Sequence, residues 1–162
     1  MRVAAGLLIL VICSAWGFRR SLLLKRRCTL LRELRLLVEQ YSIEISCTAP
    51  TLAELAGNSG GEFGRLLCEC SGSETDIRRA WSNAVDRLSA KPGCGGEEVS
   101  LLRELGRELG TCPAESQLAL LKLYSARFDK LISAAEKSAE QQGRMYRSGG
   151  VLAGLGAAVM LL

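Results

Sequence analysis

A chain of 162 residues that is 48% apolar and 23% charged has the material of one folded domain and lies outside the disordered range. Histidine is absent and only three prolines and eight aromatic residues occur, which excludes imidazole-based catalysis and imidazole metal ligation and favours helices over sheets. The net charge of +4 is unevenly spread: residues 19–27 hold five basic and no acidic side chains, residues 28–143 hold 13 basic and 17 acidic ones, and with no basic stripe on this body no nucleic-acid partner is expected.

Residues 3–18 are uncharged, enough for roughly 24 Å of helix against a hydrocarbon core of about 30 Å. A cleaved signal peptide would carry its positive charge before such a run. Here only Arg2 and the terminal amine precede it, while Arg19, Arg20, Lys25, Arg26 and Arg27 follow. That order predicts an uncleaved transmembrane helix over residues 1–18, with the N-terminus outside and Arg19 onwards in the cytoplasm.

From Arg27 the apolar positions Leu30, Leu34, Leu37, Tyr41 and Ile45 step by four, three, four and four, a helical stripe continuous with the membrane segment. Arg32, Glu33, Arg35 and Glu39 fall mostly on the other side and form a candidate contact surface. Pro50 ends this helix by Ala49, and Thr48 is placed to cap a short helix over residues 50–56. A third helix is expected over residues 62–70. Ser73 as N-cap opens a fourth, with Ile77, Trp81, Ala84, Val85 and Leu88 on its apolar face. Lys91-Pro92-Gly93 precedes a fifth over residues 97–109, and Pro113 begins a sixth whose stripe is Leu118, Leu121, Tyr124, Phe128, Leu131 and Ala135. No segment alternates with period two. Residues 19–147 are therefore expected to be a cytoplasmic antiparallel bundle of about six helices in an all-α fold.

Residues 148–162 are uncharged, keep no polar stripe after Ser148, and read as a second transmembrane helix. Arg144 and Arg147 fix its insertion from the cytoplasmic side, so both termini are expected outside the cytoplasm. Gly150, Gly154 and Ala158 recur every four residues, a row of small side chains that lets another membrane helix approach and so allows an oligomer.

Reactive groups are sparse. Cys13 lies in the first apolar run, and the other six cysteines fall in the body, where a reducing cytoplasm keeps them as thiols. Cys68 and Cys70 point about 200° apart on a helix and suit neither chelation nor disulfide exchange. Paired carboxylates that could bind a cation occur at Glu97-Glu98 and at Glu104 with Glu108; with Arg103 and Arg107 beside the second pair, the stretch from Arg103 to Glu108 reads instead as a solvated, salt-bridged face. No phosphate-binding loop, dinucleotide turn or nucleophile elbow occurs. No catalytic, cofactor or metal site is expected, which disfavours a membrane enzyme. The topology likewise disfavours a secreted, disulfide-stabilised domain.

Four stretches run in order across nearly the whole chain: Arg32-Glu33-Leu34-Arg35; Glu44-Ile45 on to Pro50-Thr51-Leu52-Ala53-Glu54; Leu105-Gly106-Arg107-Glu108-Leu109-Gly110 with Gln117; and Gly143-Arg144-Met145-Tyr146-Arg147-Ser148. Together they resemble the stage III sporulation protein AB family of endospore-forming bacteria. The chain departs from the usual pattern at Gly149 and Gly150, where a bulky residue and one glycine are usual, and in its cysteine load. The resemblance implies a non-enzymatic component of the sporulation channel complex, located in the mother-cell membrane around the forespore. It further implies a soluble region similar to the cytoplasmic domain of type II secretion and type IV pilus platform proteins. The implied partners are a secretion-type ATPase of the same operon and other membrane subunits of the channel. A true platform protein of a type II secretion or type IV pilus system is the alternative; those usually repeat the cytoplasmic domain, and this chain has one copy.

Overall fold

A computed structural model describes the backbone of residues 2–48, 51–74 and 76–161, and the side chains of residues 15–47, 51, 53–74, 76–142 and 145. Among these residues there are six helices and no strand: α1 Arg2–Thr48, α2 Leu52–Asn58, α3 Gly61–Ser71, α4 Ile77–Ser89, α5 Gly96–Glu108 and α6 Ala114–Leu161. The all-helical reading holds. α1 and α6 each run unbroken from a terminal apolar run into the body, as the continuous stripes predict.

Two helix starts differ from expectation, each for a local reason. Thr51, not Thr48, caps α2. It stands three residues before Glu54, so its hydroxyl accepts the Glu54 N–H (3.4 Å) while the Glu54 carboxylate accepts the Thr51 N–H (2.8 Å), a reciprocal box that Thr48 has no acid to complete. Asp76, not Ser73, caps α4 by accepting the Arg78 N–H at 3.0 Å. Ser73 instead donates its hydroxyl to the Cys70 carbonyl at 3.0 Å and closes the end of α3.

The chain divides into two compact units, Met1–Cys28 with Ala134–Leu162, and Thr29–Ser133. In the first, Trp16, Phe18, Leu22 and Met145 are exposed large apolar side chains. Among the described residues no helix is long and apolar enough to cross a membrane. The apolar runs on which the two expected transmembrane helices rest have side chains almost wholly outside the described residues, so those helices find no support there.

The second unit holds nearly all of the described core. α1 contributes Leu31, Leu34, Leu37 and Tyr41, α3 contributes Phe63 and Leu67, α4 contributes Trp81, Val85 and Leu88, α5 contributes Leu102 and Leu105, and α6 contributes Leu121, Tyr124 and Phe128. Burying each such side chain stabilises the unit by about 1.5–3 kcal/mol. Short connections keep α2, α3, α4 and α5 packed each on the next. Ring contacts join them at the centre: Phe63 meets Trp81 edge-on at 5.0 Å between centroids, and Tyr41 lies 6.4 Å from Trp81.

Candidate interaction surface

The α1 residues singled out in the sequence serve different ends. Glu33 accepts the Glu62 backbone N–H at 3.0 Å, placing a carboxylate on the N-terminus of α3, where free N–H groups and the helix dipole favour negative charge. Arg35 donates from Nε to Asp129 Oδ1 on α6 (2.7 Å) and from a terminal nitrogen to Glu39 Oε2 (2.9 Å). Both thus act within the unit, and Arg32 is exposed beside them. Arg144, Arg147, Gly150 and Gly154 fall in α6, and their side chains lie outside the described residues.

The expected solvated face of α5 is stitched to other helices rather than along its own axis. Arg103 reaches Asp86 on α4 at 2.5 Å, Glu104 accepts from Arg127 on α6 at 3.1 Å, and Glu108 accepts the Tyr124 hydroxyl at 3.0 Å. Arg127 also sits 5.3 Å from the centroid of the Tyr124 ring, a cation–π contact. Glu98, one of the paired carboxylates noted in the sequence, is fully buried in the first turn of α5. A helix N-terminus is favourable ground for a carboxylate, which period-based reading does not register.

Two phenols feel these surroundings. Burial pushes Tyr124 up to about 12, and the neighbouring Glu108 carboxylate, which holds its proton, adds to the rise. Tyr41 is likewise pushed up to about 12 by burial, against an opposing hydrogen bond with Ser59 at 2.5 Å.

Gly106 fixes how α4 and α5 meet. A Cβ built there would collide with the indole of Trp81, so only glycine lets that ring come this close to α5. At this approach Trp81 Nε1 donates to the Leu102 carbonyl at 2.8 Å, satisfying its one polar atom inside the core. Leu105 and Leu109 are buried on the same turn pair, and Gly110 (φ 75°) reverses the chain after the helix.

Beside this contact α4 and α5 leave a cleft of about 380 Å³, lined by Arg78, Trp81, Ser82, Asp86, Arg103, Gly106 and Arg107. Arg103 is paired with Asp86, whereas Arg78 and Arg107 have no ion-pair partner among the described residues. In the sequence Arg103 and Arg107 stand in a stretch that reads as salt-bridged, and nothing there joins them to Arg78 or Trp81. Two arginines four apart, Arg103 and Arg107, were available as a sign of unbalanced charge on one face. Among the described residues no three metal-ligating side chains converge, and Cys28, Cys47, Cys68, Cys70, Cys94 and Cys112 are all free thiols.

A sequence model of stage III sporulation protein AB matches residues 2–162. The chain belongs to the stage III sporulation protein AB family. No curated protein and no solved structure matches it. The family is described by its place in sporulation and not by an activity. Three of the stretches that carried the resemblance acquire physical roles in this stage III sporulation protein AB chain. Arg32 to Arg35 ties α1 to α3 and α6. Thr51 to Glu54 is the capping box of α2. Leu105 to Gly110 packs α5, receives Trp81 and stops the helix. Gln117, named with the last of these, donates to the Cys112 carbonyl at 2.7 Å and braces the turn into α6.

Proposed function

We propose that the chain is a non-enzymatic membrane component of the sporulation channel complex between mother cell and forespore, working as a platform-like adaptor for a cytoplasmic secretion-type ATPase. The observation that carries this reading is the family match, which spans both terminal apolar runs and the helical unit between them. The arginines after residue 18 and before residue 148 support anchoring in the mother-cell membrane with the helical unit in the cytoplasm and both termini outside it. A compact helical unit with a charged exterior and no converging reactive groups among its described residues suits a protein that works by contact.

The test is co-purification. Membranes from sporulating cells, solubilised in mild detergent, are expected to yield this chain together with the ATPase encoded in the same operon. Association lost from intact membrane extracts, with the chain itself well folded, would remove the adaptor role. Labelling with a membrane-impermeant maleimide checks the topology: Cys112, exposed on the helical unit, is expected to react only after the cells are permeabilised.

A further inference from the structure

We infer that the α4–α5 cleft rimmed by Arg78, Arg103 and Arg107 is a docking site for an acidic segment of a partner protein, one that sets a carboxylate beside an apolar side chain. The inference rests on reading the chain as a protein-binding platform.

Charge is the first argument. Between Thr29 and Ser133 the unit carries twelve basic and fifteen acidic residues, so it is acidic as a whole. The cleft reverses that sign locally, since three guanidinium groups face one carboxylate, Asp86, which Arg103 already engages. Arg78 and Arg107, both exposed and with no ion-pair partner among the described residues, present planar forks that match carboxylate oxygens. An excess of positive charge around one cleft of an otherwise acidic unit favours an anionic ligand there over the rest of the surface.

Shape is the second argument. The Trp81 indole also lines the cleft, and its Nε1 is committed to the Leu102 carbonyl. Trp81 is 6% exposed, so what it shows the cleft is a narrow apolar edge and not a donor. A volume of about 380 Å³ admits a pair of side chains and no folded domain. Guanidinium forks beside an apolar edge recognise a carboxylate with an apolar neighbour better than they recognise a small inorganic anion, which would leave that edge unused.

Trp81 also reports on the cleft. The chain has two tryptophans, so Trp16→Phe leaves Trp81 as the sole indole. In that background, the full chain in detergent is titrated with the synthetic peptide Glu-Leu-Glu-Glu-Leu and, separately, with sodium phosphate at matched ionic strength. The peptide is expected to shift Trp81 emission saturably, and added salt to weaken the shift. Arg78→Ala with Arg107→Ala is expected to weaken binding by about tenfold or more, while Arg87→Ala, an arginine of α4 outside the cleft, leaves it unchanged. No shift with peptide, or equal affinity in the double variant, overturns the inference. Phosphate reproducing the peptide's effect overturns it in favour of an inorganic anion site. Co-purification separates this outcome from the adaptor reading. If the ATPase co-purifies with the chain while the peptide gives no shift, the cleft inference fails and the adaptor stands. If it is absent while the peptide binds, the adaptor fails and the cleft stands.

Discussion

Two phenols of this chain hold their protons well past the pH at which tyrosine ordinarily ionises. For Tyr41 and Tyr124 the folded values near 12 lie above the unfolded value near 10, so the native chain is protonated where the unfolded chain has lost its proton. The stability this represents is fully present below pH 10 and is lost as pH climbs from about 10 towards 12. Tyr41→Phe removes one of the two groups and is expected to flatten that alkaline decline in melting temperature, with tyrosinate absorbance showing one fewer late titration. An unchanged decline would show that Tyr41 is not held this way. The core phases of these residues were readable in advance, because Tyr41 and Tyr124 fall on apolar stripes of period 3.6. Their polar partners were not: Ser59 lies 18 residues from Tyr41 and Glu108 lies 16 from Tyr124, beyond any local pattern.

Helices as elements were legible almost throughout, since apolar stripes marked α1, α4 and α6 and Gly and Pro broke the chain between the shorter helices. Their starts were less so. Ser73, Asp76, Thr48 and Thr51 are all good capping residues, and choice among them turns on which has its partner at the right spacing. Thr51 has Glu54 three residues on, and that reciprocal pair is expected to matter to the short α2, which has few internal hydrogen bonds of its own. Thr51→Ala is expected to cost about 1 kcal/mol, or roughly 2–4 °C in melting temperature. Thermal melts followed by circular dichroism check it, and a melting point within error of the wild type would mean that packing alone holds α2. The stitched face of α5 was illegible for a different reason. Intrahelical spacing makes Arg103, Glu104, Arg107 and Glu108 look self-sufficient, and only the neighbouring helices reveal that Asp86, Arg127 and Tyr124 take Arg103, Glu104 and Glu108 instead.

At the scale of the molecule, the cooperative core lies within Thr29–Ser133, and that unit contains the ring cluster, the capping links and the cleft. A polypeptide of residues 29–133 is therefore expected to unfold in a single transition with its near-ultraviolet tryptophan signal intact below it. A broad, non-cooperative melt would show that the remaining residues are needed to hold the core. The placement of charge and apolar runs along the whole chain was plain in the sequence, whereas the cleft was not, because it exists only where α4 and α5 are brought side by side. The fit of Trp81 over Gly106 has one more consequence, in inheritance. A methyl group at position 106 has no room unless the ring at position 81 shrinks, so the two codons are expected to change together or not at all. Relatives with a larger residue at position 106 should then carry a smaller one at position 81, and the pair should stand out as linked even though 25 residues separate them in the chain.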